Sequence, residues 1–227
     1  MAAGWLHAPS ARARFRLAGP EAAFKAFWQQ QRSLTRCASA HPDLPGEFLF
    51  KEFVSCEEAQ ALVALADAGP PPWKPSTFNG RHRGKAWGVQ MDLGRRIVVA
   101  EAVPLPALLQ TLAERMRTLP PLRSFYPNEA NAIDYRKSLG HHLAPHVDDR
   151  KLSTGVIVTL SLLGTCLMTF QRDKGERHGV DVLLPPRALQ VLTRDARYAY
   201  THAIQPHNLL SERRISITFR QSPLRSV

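Results

Sequence analysis

Two rhythms of apolar and polar positions divide the chain. The first is helical. Ser55 and Glu58 form a capping box that opens a helix running to about Ala68, with Gly69 as its stop. Pro106 to Thr118 reads as a second helix, with Leu108, Leu109, Leu112 and Met116 on one face. Pro20-Glu21 starts a shorter one through Gln31, its apolar stripe made by Phe24, Phe27 and Trp28. Between the two longer helices, 69–75 (GPPPWKP) cannot continue a helix. Phe48, Phe50 and Phe53 suggest a strand, and 76–100 reads as β-rich. The second rhythm begins after residue 130. Short runs rich in Val, Ile, Leu and Thr recur at 131–135, 154–162, 165–171, 180–184, 188–193, 199–204 and 214–220, broken by Gly, Pro or Asp-Arg. That is the all-β texture of a barrel or jelly roll. The expected fold is mainly β with flanking helices (α+β).

At 227 residues with 44% apolar and 22% charged positions, the chain is long enough for a proper core without disulfides. Cys37, Cys56 and Cys166 match no zinc spacing, which favours a reducing compartment. No apolar run approaches the roughly 18 residues that span a bilayer, so no stable membrane association is expected. The formal charge of +11 changes the picture more, because a basic chain is drawn to polyanions. Residues 1–46 hold six Lys or Arg against Glu21 and Asp43. They read as a basic tail or an Arg-rich targeting segment. The folded domain is expected over 47–227. Nucleus or cytoplasm is the expected location, with mitochondrion or plastid as the alternative if residues 1–46 target the chain.

Three local patterns carry chemistry. Pro145-His146-Val147-Asp148 puts an imidazole and a carboxylate on one side of an extended segment, because side chains alternate with period two. His202 lies in another β-like run, Tyr200-Thr201-His202-Ala203. Two histidines and one carboxylate make the facial triad of non-haem iron(II) oxygenases, which leaves coordination positions open for a 2-oxo acid and O2. Asp149 competes with Asp148, but the H-x-D spacing favours Asp148. The third pattern is RISITFR, 214–220: as a strand it sends Arg214, Ser216, Thr218 and Arg220 to one face and Ile215, Ile217 and Phe219 to the other. Two guanidinium forks among hydroxyls suit a cavity that grips carboxylates; an amphipathic strand with its arginines in solvent would read the same way. His141, His142 and His178 read as loop or turn residues.

In this order the three patterns resemble the catalytic core of the AlkB-type iron(II)/2-oxoglutarate dioxygenases. The resemblance rests on DYRKSLGHHLAPHVDD, VIVTLSLLG, LLPPRALQVLTRDARYAYTHAI and RRISITFR, over residues 131–221. Within the family the chain is most similar to the fourth AlkB homologue, with segment 73–96 also similar to that branch. It implies a double-stranded β-helix (jelly-roll) core, with 47–130 as N-terminal extension and substrate lid and 131–221 as catalytic core. It implies iron(II) on His146, Asp148 and His202, with 2-oxoglutarate and O2 as co-substrates. Arg214 would pair with the distal carboxylate of 2-oxoglutarate, Tyr135 would donate its hydroxyl to the same cofactor, and Ser161, Thr218 and Arg220 would line the pocket. Three positions depart from the family pattern. Ile133 stands where an asparagine is common, with Asn131 nearby; Arg150 stands where some nucleobase repairers carry an acid; and the cysteine cluster at the front of some fourth homologues is missing.

Segment 72–100 carries Lys74, Arg81, Arg83, Lys85, Arg95 and Arg96 against Asp92 alone. With Trp73, Phe78 and Trp87 it would suit a nucleic-acid strand, charge meeting phosphate and rings meeting bases. Arg81, Arg83, Lys85, Trp87 and Arg150 are therefore the expected substrate contacts. The expected reaction is oxidative N-demethylation of a methylated nucleobase in DNA or RNA by a monomer. The alternatives are a protein methyl-lysine demethylase of the same fold and a non-catalytic basic binding module.

Overall fold

The computed structural model describes residues 38–92, 97–153, 155–174 and 179–223. The helix expected over 20–31, the rest of the tail up to residue 37, and Arg95, Arg96 and His178 lie outside the described residues. In chain order the elements are β1 (Ala38–Ala40), β2 (Glu47–Phe50), α1 (Cys56–Ala68), β3 (Lys74–Ser76), β4 (Gly80–Asp92), β5 (Ile97–Val103) and α2 (Ala107–Met116). They continue with β6 (Glu129–Arg136), β7 (His142–His146), β8 (Ile157–Leu163), β9 (Cys166–Arg172), β10 (Gly179–Leu184), β11 (Leu189–Leu192), α3 (Arg194–Tyr198), β12 (Tyr200–Ile204) and β13 (Arg213–Arg220).

All pairings are antiparallel. One sheet runs β1-β2-β11-β8-β13-β6-β4, with β3 and β5 also on β4; the other runs β7-β12-β9-β10. The first residues of β4, Gly80 and Arg81, pair with Leu143 and His142 of β7 and so join the two. Sequence neighbours repeatedly fall in different sheets, which is the winding of a double-stranded β-helix. Between the sheets Leu49, Tyr135, Ile157, Met168, Phe170, Val182 and Ile204 form the core.

β13 shows how the sequence builds this. Ile215, Ile217 and Phe219 are wholly buried on one face. On the other, Arg214 lies opposite Tyr135 of β6, Ser216 opposite Ser161 of β8, and Thr218 opposite Asn131 and Thr159. The strand is central and buried on both faces, so its arginines are not a solvated stripe. Gly88, at φ 84°, breaks the register of β4 against β5; a Cβ there would run into the Asn128 carbonyl.

Outside the larger sheet, α1 packs on β8. It opens on the expected capping box: Glu58 N donates to Ser55 Oγ at 3.1 Å and Ser55 N to Glu58 Oε2 at 2.9 Å. Glu58 also takes a two-pronged ion pair from Arg115 of α2 (2.5 and 3.0 Å), locking the two helices together. Three elements escape the hydrophobic pattern. β1 is three residues long, β7 contains Pro145, and α3 has only five residues, too short for a helical period to show. Among the described residues no helix is long and apolar enough to cross a membrane.

Candidate active site

β7 and β12 set His146 and His202 directly opposite each other, with ring centroids 4.3 Å apart. Asp148, two residues past the end of β7, reaches back: its Oδ1 is 3.9 Å from His146 Nε2 and its Oδ2 3.9 Å from His202 Nε2. One donor atom from each residue lies within 4.8 Å of the others. The protonation states suit a metal. His146 Nδ1 is 2.8 Å from the Ala144 carbonyl, a contact that takes the proton there and leaves Nε2 with its lone pair free. Burial pulls His202 down to about 4, so its ring is neutral at physiological pH even though Asp148 opposes the shift. Burial by itself would raise the carboxyl of Asp148, but the positive charges of Arg220, foremost, and Arg197 hold it well below the usual range. Two imidazoles and an ionised carboxylate are the donor set that non-haem iron(II) takes. Asp149 is occupied elsewhere, its Oδ1 accepting from the backbone N–H groups of Lys151 (2.7 Å) and Leu152 (3.0 Å).

The polar face of β13 continues the site inward. Arg214 is 1% exposed, donates to Ser216 Oγ (2.9 Å) and Ser161 Oγ (3.3 Å), and leaves Nε without a partner. Among the described residues no carboxylate forms an ion pair with it. Its guanidinium carbon sits 5.5 Å from the Tyr135 ring, and burial pushes the Tyr135 phenol far up, so the hydroxyl stays a neutral donor. A buried guanidinium that meets hydroxyls, the Tyr135 ring and the Cys166 thiol but no carboxylate among the described residues fits an incoming carboxylate. At the other end of β13, Arg220 donates to Asp148 Oδ1 at 2.9 Å and lies 3.6 Å from Glu129 Oε1. Thr218 bonds Thr159 at 3.1 Å. Asn131 donates to Glu129 and lines the cavity beside Ile133.

A cavity of about 1100 Å³ opens over His146 and Asp148. Lys74, Phe78, Arg150 and Lys151 stand at its mouth together with Asp149 and Asp173. The expected substrate residues divide. Arg81 is exposed on β4, and Arg150 is exposed with its guanidinium on the Tyr198 carbonyl at 2.5 Å. Arg83 leans toward Asp134, 3.6 Å away. Lys85 lines the cavity, yet its ammonium and the Trp87 indole are tied into the fold. The Lys85 ammonium donates to the carbonyls of Ala66 and Gly69 at 2.6 Å each, between the rings of Trp73 and Trp87. Trp87 is 1% exposed and donates to the Pro70 carbonyl at 2.7 Å. Alternation along β4 turns both toward the helix side, where an ammonium must find carbonyls. Sequence reasoning missed Glu129, Asp134 and Arg197. Each is a charge inside a β-run or just before one, and that misplacement was the available signal.

Fold and donor set define an oxygenase that binds iron and a 2-oxo acid on a double-stranded β-helix. The chain belongs to the 2OG-Fe(II) oxygenase superfamily, whose family model matches residues 46–220. Within it the chain is similar to AlkB-type dioxygenases, and the superfamily's cofactors are Fe(II), 2-oxoglutarate and O2. It is 29% identical over 207 residues to human alpha-ketoglutarate-dependent dioxygenase alkB homolog 4, covering 78% of this chain and 67% of that protein. It is 28% identical over 210 residues to the alkylated DNA repair protein ALKBH8 homolog of Arabidopsis thaliana, covering 79% and 59%. Its fold is similar to the solved structure of OsALKBH1 (TM-score 0.59, 16% identity, 82% of this chain and 100% of that one). A prolyl-4-hydroxylase from Pseudomonas putida shares it as well (TM-score 0.53, 17% identity, 78% and 94%).

Proposed function

We propose that this chain oxidatively removes N-methyl groups from nucleobases in DNA or RNA. The observation that carries the reading is the cavity over His146 and Asp148, whose mouth joins exposed Lys74, Arg150 and Lys151 to Phe78, 57% exposed. Cations meet phosphates and an exposed ring stacks on bases, and the depth of the cavity suits a flipped base. The name of the Arabidopsis relative, an alkylated DNA repair protein, supports the same reading. In it, residues 47–130 form the lid and 131–221 the catalytic core.

His146, Asp148 and His202 hold Fe(II), and Arg214, with Ser161, Ser216 and the Tyr135 hydroxyl, grips the distal carboxylate of 2-oxoglutarate. When bound, this pair supplies the oxidation that converts the 2-oxo acid and O2 to succinate and CO2 while placing one oxygen atom on the N-methyl group. The hydroxymethyl product then releases formaldehyde and leaves the demethylated nitrogen. Arg220 keeps one oxygen of Asp148 oriented, and Thr218 with Thr159 walls the space between Arg214 and the metal ligands.

The test compares succinate and formaldehyde release with methylated oligonucleotides and with methyl-lysine peptides. Turnover on oligonucleotides is expected. Turnover on peptides alone would overturn the nucleic-acid reading in favour of the protein demethylase. Failure to bind Fe(II) and 2-oxoglutarate at all would leave only a binding module.

A further inference from the structure

We infer that Arg197 is a positioning residue for the metal site: its guanidinium fixes the segment that carries Asp148 and ties it to the strand that carries His202. This rests on the ligand assignment proposed above. β7 ends at His146, and residues 147–153 have no strand partner. The sheet ladder that holds both histidines therefore does not hold the backbone of Asp148. Arg197 takes over that task. It sits in α3, immediately before β12, and is 2% exposed. Nη1 donates to the Asp148 carbonyl at 3.0 Å; Nη2 donates to the carbonyls of Asp149 (2.9 Å) and Ser153 (3.1 Å) and approaches Ser153 Oγ at 3.4 Å. One planar fork thus gathers three carbonyls from a stretch of six residues.

Its neighbour works the same segment. The Tyr198 carbonyl accepts from Arg150 Nη2 at 2.5 Å, and the Tyr198 hydroxyl accepts from Gly155 N at 2.9 Å. Helix α3 is thus a clamp whose last two residues, Arg197 and Tyr198, hold the Asp148 segment and lead directly into the strand of His202. A lysine could not do this, because an ammonium on a flexible stem lacks the rigid fork. Burying a guanidinium against neutral carbonyls is expensive, and Arg197 Nε is left without a partner. Water would satisfy those carbonyls at lower cost if their exact positions did not matter. The same stretch, Asp149 to Ser153, lines the cavity mouth, so one side chain governs both the direction of the Asp148 carboxylate and the shape of the entrance.

The test uses the full chain with Mn(II) as probe. Native protein, Arg197→Met and Arg197→Lys are compared by calorimetric titration with Mn(II), and by circular dichroism and thermal melting without metal. Arg187→Met, which breaks the ion pair with Glu52 and a 3.5 Å contact with the Val54 carbonyl, both away from the metal ligands, serves as the control for a purely structural loss. Arg197→Met is expected to keep the β spectrum and bind Mn(II) about 10- to 100-fold more weakly. Arg197→Lys is expected to recover only part of that loss, and Arg187→Met to bind as the native protein does. Unchanged Mn(II) affinity in Arg197→Met would overturn the inference, as would full recovery by lysine, since charge alone would then suffice. Hydrogen exchange on the native protein tests it without any variant. The amides of 149–153 should be protected before metal is added; protection that arises only with Mn(II) would mean that the metal, not Arg197, orders the segment. If the native protein itself binds no Mn(II), the ligand assignment fails. If native and Arg197→Met bind alike, only the role of Arg197 does.

Discussion

At the residue scale, the metal-site side chains and the Arg214 clamp carry separable tasks. Asp148→Ala removes the only carboxylate of the donor set and leaves Arg220 with Glu129 as its ion-pair partner, so Fe(II) binding and turnover should both be lost. Arg214→Met leaves the triad intact and removes the cation facing the distal end of the pocket. It should weaken 2-oxoglutarate binding at least tenfold at unchanged Mn(II) affinity, measured by titrating 2-oxoglutarate into the Mn(II)-loaded protein. Equal affinity in the variant would show that the carboxylate binds elsewhere. These residues were legible in the sequence because period-two alternation and the H-x-D step are local. The hydrogen bond from His146 to Ala144 follows from the same local geometry. Arg197 was legible only as a charge just before a β-run: nothing in RDARY says that its fork will reach 49 positions back to Asp148.

Elements explain why Lys85 and Trp87 read as substrate contacts while their polar groups are bound inside the fold. Strand β4 is a single run from Gly80 to Asp92, and alternation assigns its residues to faces without saying which face is the cavity. His82, Gly84, Lys85 and Ala86 all line the cavity, but the Lys85 ammonium and the Trp87 indole are bound to the carbonyls of Ala66, Gly69 and Pro70. Lys85→Met should therefore lower the melting temperature and leave the salt dependence of oligonucleotide binding unchanged. A flattened salt dependence would return Lys85 to the substrate path. The helix layer has its own weak point at Arg115–Glu58, both under 5% exposed. Both helices were legible from capping and apolar spacing, but the ion pair spans 57 residues and was not. Arg115→Met strands a buried carboxylate and should cost about 3 to 5 kcal/mol. Glu58→Gln in the same chain should recover part of it in thermal melts.

At the scale of the whole molecule, two charge effects separate cleanly. Glu47 is 1% exposed, and burial pushes its carboxyl up to about 7, only partly offset by the Gln190 amide at 3.2 Å. The fold therefore keeps a proton that the unfolded chain releases near 4.5. Stability from this group is full below about 4.5 and is lost as pH rises to about 7, by at most about 3 kcal/mol. Glu47→Gln should flatten that slope in melts taken from pH 4 to 8. The net charge of +11 acts on binding instead. The sequence located its excess only as segments, and the structure sorts it: Lys85 and Arg83 face internal partners, whereas Lys74, Arg81, Arg150 and Lys151 are exposed. Each phosphate contact by such a cation contributes about 0.7 to the slope of log affinity against log salt for a single strand. Replacing Lys74, Arg81 and Lys151 with alanine should lower that slope by about 2 if all three meet phosphates. Turnover of a methylated mononucleoside, too small to reach them, should be unaffected. An unchanged slope with the oligonucleotide would place the strand on another face of the molecule, and the basic mouth would lose its role in substrate recognition.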